Sequence, residues 1–553
     1  MSQPLRVPVL IAGGGPTGLV LAAELSRHGV PSLVAERNEY TTLFPKMDIT
    51  NGASMELLRR LGADAELRAL GVPAEYSFDV IFAASLNGPV HGRWRLPSVD
   101  EQRAIITATA DGSLPGQPWQ RCSQAIFEAM MMRRAQRDPL VGVRQGWRLE
   151  SCRQTGDMVI AQLVDRAGAI LTVHADYLIG CDGASSRVRS ELGIEMQGLK
   201  DFASFGLVHF RSTDLANLHA QGQFWHLFTS TGGALIAQNE VDTWTLHQDL
   251  GAQARDPDPI GDPREFVARA LGRPIAINEI ITSSVWRPSA MVAESYGQGR
   301  ILLAGDAVHT MIPLGGYGMN TGLGDAANLG WKIAAAFDGW GGPQLLDSYQ
   351  AERRPIADRN RNACVEHAMV HLQYRGMVDP KLFDEDSAAG RAHREQVAEF
   401  LATHDAENLS LGIELDVRYD TSPVVVPDGS PAPPWDPRHF VPTLRPGHRA
   451  PNIVLGEQDT LFDRFGPAFT LVDALHDKRQ SCGLLSEAAQ VGLPIEHLRL
   501  TDPALAGLYQ HRLVLIRPDL HIAWSGTDAS DAVRIIARVR GMRPATAMAE
   551  IIG

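Results

Sequence analysis

A glycine-rich turn near the N-terminus has the residue types and the spacing that bind a dinucleotide. Gly13, Gly15 and Gly18 fit the pattern G-x-G-x-x-G between an apolar run and a helical one. In such a turn the first glycine allows the bend, the second lets a pyrophosphate approach the backbone, and the third packs the helix against the strand. Glu36 comes 18 residues after Gly18, where a carboxylate would bind ribose hydroxyls. The alternative, a turn that only packs tightly, does not explain this acid.

A second glycine-rich segment has the chemistry of a site for an electron-rich ligand. Gly305-Asp306-Ala307 follows an apolar strand, and the sequence PLGGYGMN at 313–320 opens a long helical stretch. Backbone N–H groups at a helix start attract negative charge, such as the charge near N1 and O2 of a reduced flavin. The alternative is a glycine-rich connection with a buried capping Asp306.

A third motif, CDGASSRVR at 181–189, joins a strand to a helix. Asp182 is expected either to cap the following turn or to bind a ligand hydroxyl. Arg187 is expected to pair with Asp182 or with a phosphate. A capped helix with a surface arginine explains the same residues.

Short strands and helices must position these three motifs. The apolar patterns predict a first unit of strand, helix and strand, a further helix, a hairpin leading into the third motif, and a strand before the second motif that is followed by one long helical stretch. The predicted elements are strand 7–12, helix 17–28, strand 32–35, helix 54–61, hairpin strands 159–164 and 171–178, strand 301–304 and a helical stretch from about 320 past 362.

The remaining segments have different sequence patterns. Residues 76–101 and 202–285 contain short runs typical of antiparallel strands, such as 223–229 and 234–238. Seven prolines between 427 and 446 indicate a linker, because proline lacks the backbone donor that helices and sheets need. Beyond the linker, alternating strand-like and helix-like segments predict a small separate α/β domain.

Composition excludes several classes of protein. The chain has 553 residues, is 44% hydrophobic and carries a net charge of −13, which argues against binding nucleic acid or an anionic membrane. No metal site is predicted: the five cysteines form no Cys-x-x-Cys, so a zinc cluster on paired cysteines and a dithiol redox pair are excluded. Without an apolar run of about 18 residues, the protein is expected to be cytoplasmic.

Together the three motifs resemble the class A flavoprotein monooxygenases of the p-hydroxybenzoate hydroxylase fold. The resemblance covers essentially the whole chain, and it is most specific in GDAVHTMIPLGGYGMNTGLGDAANLGWKI (305–333) and LLDSYQAERRP (345–355). The proline linker and the tail LIRPDLHIAW (515–524) are similar to the branch that contains phenol, chlorophenol and polyketide hydroxylases.

The resemblance implies an α/β fold with three parts. A Rossmann-like FAD-binding domain would comprise 1–75, 102–190 and 286–400, with an interleaved antiparallel-sheet substrate domain at 76–101 and 191–285. A connecting segment, 401–446, would lead to a thioredoxin-like domain at 447–553, which lacks the usual cysteine pair because Cys482 stands alone.

The resemblance also implies which residues bind FAD. Lys46 stands where the family more often has arginine near the pyrophosphate, which keeps the charge but loses the two-pronged hydrogen bonding. Gln124 matches a glutamine that contacts the ribityl chain, and Asp306 would bind the same chain. The full predicted set is Gly13, Gly15, Pro16, Thr17, Gly18, Glu36, Arg37, Lys46, Gln124, Asp182, Gly183, Arg187, Gly305, Asp306, Pro313, Gly316, Gly318, Met319 and Asn320.

The implied reaction is hydroxylation of a phenolic ring by O₂ through a flavin C4a-hydroperoxide, with NADPH or NADH as a transient co-substrate. Asp48 matches an aspartate that phenol hydroxylase places beside the substrate hydroxyl, so we expect it to orient or deprotonate a phenol. A surface or capping aspartate is the alternative, and Ala53 stands where relatives often have arginine. The candidate substrate contacts are Trp225, His226, Trp286 and Pro313.

Other readings stay open at this point. One alternative, within the same fold, is an enzyme that removes nitrite or halide from a substituted phenol or that hydroxylates a polycyclic aromatic natural product. A flavin-binding protein without catalytic activity is the alternative from another class. The resemblance is also compatible with a homodimer.

Overall fold

Strands and helices alternate along residues 3–456 and 459–542, which are the residues that the computed structural model describes. The first strands are β1 (Leu5–Ala12), β2 (Ser32–Glu36), β3 (Ile49–Thr50), β4 (Val80–Ala83), β5 (Val90–Trp94), β6 (Gln120–Arg121), β7 (Val141–Gln145), β8 (Trp147–Thr155), β9 (Met158–Asp165), β10 (Ile170–Gly180), β11 (Met196–Leu199), β12 (Phe205–Arg211) and β13 (His226–Thr229). The later strands are β14 (Gly233–Ala237), β15 (Thr243–Asp249), β16 (Glu279–Trp286), β17 (Ala290–Ala293), β18 (Gly297–Gln298), β19 (Ile301–Leu303), β20 (His309–Thr310), β21 (Val454–Gly456), β22 (Asp459–Thr460), β23 (Phe469–Asp473), β24 (Ile495–Arg499), β25 (Leu513–Ile516) and β26 (Ile522–Gly526).

The helices begin with α1 (Pro16–Arg27), directly after the first glycine-rich turn. The others are α2 (Gly52–Arg60), α3 (Asp64–Leu70), α4 (Val99–Thr109), α5 (Gln124–Arg137), α6 (Arg187–Glu191), α7 (Leu215–Leu218), α8 (Pro263–Leu271), α9 (Tyr317–Phe337), α10 (Pro343–Met377), α11 (Pro380–Asp384), α12 (Ala388–Thr403), α13 (Leu411–Leu415), α14 (Lys478–Gln490), α15 (Pro503–Leu508) and α16 (Ala532–Val539). Among the helices in the described ranges, none is both long enough and apolar enough to cross a membrane.

A mostly parallel sheet brings the three predicted motifs to one edge. Its order is β18-β19-β10-β1-β2-β7, in which β19, β10, β1, β2 and β7 run parallel to one another, while β18 is antiparallel to β19 and β9 is antiparallel to β10. Residues 9–12 are buried, as expected for a parallel strand that is covered on both faces. Because parallel strands end at the same edge, the turns that follow Ala12, Gly180 and Leu303 lie side by side.

An antiparallel sheet forms the second layer and carries side chains of the candidate site. Its order is β16-β12-β15-β14-β13-β4-β5, in which only the pair β13 and β4 is parallel within the described residues. Along β13, Leu227 and Thr229 are buried. His226 and Phe228 lie on the opposite face and are half-buried, because successive side chains of a strand alternate between faces.

The long helical stretch predicted from residue 320 past residue 362 is two helices, so its predicted continuity is wrong. The first helix, α9, ends at Phe337, and α10 begins at Pro343. Gly339 between them has a φ of +77°, which favours glycine and ends the helix. Pro343 then occupies the first position of α10, where no intrahelical N–H is needed.

The C-terminal part has the expected thioredoxin-like arrangement. Its sheet has the order β24-β23-β25-β26, with β24 parallel to β23 and the other two neighbouring pairs antiparallel. The helices α14 and α16 contribute Leu484, Ile535 and Ile536 to the core beneath it. Cys482 is an exposed free thiol. The sequence did not predict β24, whose side chains are exposed or half-buried at the edge.

A buried ionic network joins α9 and α10 to the C-terminal sheet. Glu352 on α10 accepts a hydrogen bond from Lys332 Nζ at 2.6 Å. Arg517, directly after β25, donates to both oxygens of Glu352 at 2.6 and 2.8 Å, and it also donates to Asp519 at 2.5 Å. These side chains are almost wholly buried. Each charged side chain contacts one of opposite charge, and this pairing offsets the free-energy cost of burying ions.

Replacing Glu352 by Gln removes the anion that Lys332 and Arg517 share. We expect the free energy of unfolding to fall by about 3–5 kcal/mol, because a buried cation is left without its counter-charge. Urea denaturation followed by circular dichroism measures the change. Arg534→Gln is the control, since it breaks an ion pair whose side chains are 78% and 62% exposed. Equal stability of Glu352→Gln and the control would contradict the role of the network.

Candidate active site

The three glycine-containing turns are in direct contact at the carboxyl edge of the parallel sheet. Gly13 has a φ of +110°, and a Cβ atom on it would lie 2.2 Å from the backbone oxygen of Cys181. Gly305 has a φ of +63°, and a Cβ atom there would lie 2.5 Å from Thr17 Oγ1. Only glycine tolerates both the conformation and the close approach. The first, second and third sequence motifs therefore meet at one place.

The Glu36 carboxylate is fixed at the end of β2. Its Oε2 accepts a hydrogen bond from the N–H of Gly14 at 2.7 Å, and its Oε1 accepts from the backbone and side chain of Asn38 at 2.8 and 2.7 Å. Arg37 beside it is exposed. Glu36 thus lies against the first turn, as the sequence predicts for a ribose-binding acid.

Lys46 and Gln124 lie near a second carboxylate, that of Glu128. Gln124 Nε2 donates to Glu128 Oε1 at 2.6 Å, and the N–H of Gln124 donates to the carbonyl of Met47 at 2.7 Å. Burial raises the pKa of Glu128, against the effects of the Gln124 hydrogen bond and the charge of Lys46. Lys46 itself is exposed. The segment around residue 46 and the start of α5 therefore line the same side of the site.

Asp306 lies in a short 3₁₀ turn after β19. Its side chain is accessible to solvent, yet the protein around it raises the pKa of its carboxyl group by excluding bulk water. His309 and Lys46 act in the opposite direction. Asp306 and Lys46, which are far apart in sequence, are thus close enough for their charges to interact.

Asp182 caps α6, and Arg187 does not pair with it. Asp182 Oδ2 accepts hydrogen bonds from the N–H groups of Arg187 and Val188 at 2.7 and 3.1 Å. The Arg187 guanidinium contacts Glu191 at 2.9 Å and the carbonyl of Glu150 at 3.0 Å, so the predicted pairing with Asp182 is wrong. Asp182 Oδ1 is buried and has no hydrogen-bond partner among the described residues. It is an acceptor available to a ligand hydroxyl.

The start of α9 is attached to β3. Gly316 precedes the helix with a φ of +68°. Asn320 Nδ2 donates to the carbonyls of Gly316 and Ile49 at 2.6 and 3.2 Å, while its Oδ1 accepts from the N–H of Asn51 at 3.2 Å. The first turn of α9 contains no acidic residue. Its N–H groups therefore keep their attraction for an anion.

The other predicted cofactor residues lie in or beside these turns. Pro313 is exposed ahead of α9, and the remaining positions belong to the turn before α1, the turn before α6 and the first turns of α1 and α9. They are Gly15, Pro16, Thr17, Gly18, Gly183, Gly318 and Met319.

Asp48, just before β3, is hydrogen bonded to two predicted substrate residues. Its Oδ2 accepts from Trp225 Nε1 at 2.6 Å and lies 3.3 Å from His226 Nε2. Burial would raise the pKa of Asp48, but the hydrogen bonds from His226 and Trp225 and the charges of His226 and Arg121 lower it. Trp225 is itself buried, at 3% exposure. Asp48 therefore remains ionised beside an imidazole.

Trp286 is hydrogen bonded to His247, whose imidazole lies close enough to Asp48 for the charge of that carboxylate to act on it. Trp286 Nε1 donates to His247 Nδ1 at 3.0 Å, and its ring stacks on Phe205 with centroids 5.0 Å apart. Burial lowers the pKa of His247 to about 4, although the charge of Asp48 acts to raise it. A neutral His247 is consistent with its acceptance of the indole hydrogen bond.

A second carboxylate–imidazole pair was missed by the sequence analysis. Glu407 Oε2 lies 2.7 Å from His371 Nε2, and Glu407 Oε1 accepts from the N–H of Gly315 at 3.4 Å. Glu407 is buried and belongs to the predicted connecting segment, whereas His371 lies on α10. No local pattern marks either residue, because their contact joins segments that are separate in sequence.

The family model for the FAD binding domain matches residues 6–363, and the model for the aromatic-ring hydroxylase, C-terminal domain matches residues 443–543. The chain belongs to the FAD-dependent aromatic-ring monooxygenases. This monooxygenase is 38% identical to the FAD-dependent monooxygenase apdD of Emericella nidulans, over 96% of this chain and 90% of the relative. It is 29% identical to a putative polyketide hydroxylase of Streptomyces halstedii, over 94% and 93% of the two chains.

A solved structure gives the same assignment. The rebeccamycin biosynthetic enzyme RebC with reduced flavin matches with a TM-score of 0.87 at 31% identity, covering 98% of this monooxygenase and all of that chain. The residues of this chain fit the flavin dinucleotide: Asp182 Oδ1 is a buried acceptor without a protein partner among the described residues, and the start of α9 is an anion-attracting helix end without an acid.

We expect Gly13→Ala to lose FAD. A Cβ atom at this position would collide with the Cys181 carbonyl and would demand an unfavourable φ, so the turn would have to move away from the pyrophosphate. The ratio of flavin to protein after gel filtration measures the loss. Gly483→Ala on α14 is the matched control, because nothing lies within 4 Å of its added Cβ. A Gly13→Ala protein with full flavin content would contradict this role.

Proposed function

We propose that this monooxygenase uses NAD(P)H and O₂ to hydroxylate a phenolic ring whose hydroxyl group binds at the Asp48–His226 pair. The observation that carries the proposal is the hydrogen bonding of Asp48 to Trp225 and His226, one residue before the strand that Asn320 attaches to the start of α9. This arrangement places a fixed carboxylate–imidazole pair beside the turn predicted to bind the flavin ring.

The two members of the pair have different tasks. The lowered pKa of Asp48 makes it a poor acceptor for a phenol proton, but it suits a carboxylate that orients an imidazole and stabilises its charged form. His226 Nε2 faces Asp48, while Nδ1 is buried without a hydrogen-bond partner among the described residues. We assign Nδ1 as the atom that accepts the phenol proton, which raises the electron density of the ring.

Bound FAD supplies the reduction and oxygen-transfer chemistry. The protein supplies the dry surroundings that such chemistry needs. Phe78, Phe82 and Trp94 are buried under the aromatic face of the antiparallel sheet, and Trp225 packs edge-on against Phe78 with centroids 5.6 Å apart. The aromatic side chains therefore exclude water from the side of the site that faces the substrate.

A polycyclic aromatic substrate is favoured over a simple phenol with a leaving group. The relative from Streptomyces halstedii bears the name putative polyketide hydroxylase, and polyketide aromatics carry several fused rings. We therefore propose a tailoring hydroxylation, in which one oxygen is added and no group leaves.

Asp48→Asn tests the orienting role. The amide keeps the shape of the side chain but loses the charge that stabilises a protonated His226, so product formation should fall by about 10²–10⁴-fold while FAD content is retained. Product formation and H₂O₂ release are measured by liquid chromatography and a peroxidase assay. The control is Asp157→Asn, whose side chain is 99% exposed. Wild-type product rate and pH profile in Asp48→Asn would refute the assignment.

The substrate class is tested with a panel of phenols. NADH and NADPH consumption is followed for simple phenols, for nitro- and chlorophenols and for fused-ring phenols, and each product is identified by mass. We expect the gain of one oxygen atom, with fused-ring phenols the best substrates. Release of nitrite or halide would instead favour the denitrating or dehalogenating reading.

A further inference from the structure

The Glu407–His371 pair lies across the candidate substrate site from the Asp48–His226 pair. Phe228 stands between the two imidazoles, with ring centroids 5.6 Å from His226 and 4.4 Å from His371. His226 and Phe228 are two residues apart on β13 and therefore lie on the same face of the strand. This row of rings runs along the half-buried surface of the antiparallel sheet. The two pairs thus flank one aromatic platform.

The two pairs also flank the turn before α9. The N–H of Gly315 donates to Glu407 on one side. On the other side, a Cβ atom on Gly316 would lie 2.2 Å from Ile49 Cγ2, so this turn touches the residue directly after Asp48. A flat ligand lying over Phe228 would therefore meet one pair at each end.

Each imidazole has one nitrogen directed at a carboxylate. His371 Nε2 is bound by Glu407, and Nδ1 makes no hydrogen bond to the described residues, in the same manner as His226 Nδ1. His371 is 14% exposed at its side chain, whereas Glu407 is 4% exposed. The imidazole, and not the carboxylate, is therefore the accessible member of the pair.

The contact with His371 stabilises the charge of the buried Glu407 carboxylate. Burial alone would raise the pKa of Glu407, but the charge and hydrogen bond of His371 lower it to about 2. The charge of His226 acts in the same direction, which indicates that the two pairs are near neighbours. A role limited to anchoring the connecting segment would need only the Gly315 hydrogen bond and no partly accessible histidine.

We propose that His371, oriented by Glu407, binds a second oxygen of the substrate, at the end of the molecule opposite the phenol that His226 binds. The ligand class is a fused-ring aromatic with a hydroxyl or carbonyl oxygen at each end. This inference rests on the proposed function, since it assumes that the ring to be hydroxylated lies at Asp48. His371 then determines specificity, and Glu407 is a positioning residue.

The test is ligand binding to the FAD-loaded enzyme, which is measured from the change in flavin absorbance. The probes are a naphthol with one hydroxyl and the set of dihydroxynaphthalenes. Wild-type enzyme should bind at least one diol about tenfold more tightly than the naphthol, the factor that one hydrogen bond to a polar side chain supplies. In His371→Phe, which keeps a ring against Phe228, this preference should disappear.

Two further variants separate specificity from folding. His371→Gln keeps a polar group toward Glu407 and should retain part of the preference, whereas Glu366→Gln, exposed on α10, should retain all of it. Equal weakening of both ligand types by His371→Phe, an unchanged preference, or a wild-type enzyme that prefers no diol would each overturn the inference. If diols bind with the expected preference and none is hydroxylated, the oxygen-binding subsite at His371 stands, and its link to a ring hydroxylated at Asp48 fails.

Discussion

The close contact of backbone segments at the carboxyl edge of the parallel sheet is the constraint on which the site depends. Gly13 lies against the Cys181 carbonyl, and Gly305 lies against Thr17. A side chain at either glycine would separate the turns. Without side chains there, peptide N–H groups and the positive end of α9 face a common region. The glycines, the strand order and the helix orientation are therefore parts of one arrangement that recognises a dinucleotide through its backbone.

The two sides of the proposed site differ in charge, and the charge of each side suits the group that it is proposed to bind. The cofactor side has a helix start without acidic residues. The proposed substrate side has two carboxylates, each beside an imidazole: Glu407 is buried, and the Asp48 side chain is 16% exposed. A carboxylate that shares its charge with histidine is less costly to bury than an isolated one. The pairing also fixes which ring nitrogen remains free, so the same contact serves stability and directional hydrogen bonding.

The cofactor side could be predicted from sequence because its signals are local. The spacing of Gly13, Gly15, Gly18 and Glu36 reports a turn and a strand end, and both lie within one βαβ unit. The substrate side depends on distant contacts: Asp48 and Trp225 are 177 positions apart. The resemblance singled out Asp48, whose role stays a prediction, and no spacing predicts its partners.

The remaining errors have similar causes. Glu407 lies in a segment that its prolines and low regularity mark only as a linker, so nothing local indicates that it is buried. The edge strand β24 has few buried side chains, and its sequence therefore lacks a clear alternation. The break between α9 and α10 could have been predicted, since three glycines lie between residues 338 and 343. The apolar pattern on both sides of these glycines favoured a continuous helix instead.

The length of α10 links the C-terminal domain to the proposed substrate site. This helix has 35 residues and is roughly 50 Å long at the usual rise per residue. Glu352 is clamped near one end by Arg517, and His371 lies near the other. Both residues belong to the same helix, with Pro355 between them, so the helical rise per residue relates their positions along its axis. A single helix thus connects the buried ionic network beside the C-terminal sheet to the Glu407–His371 pair.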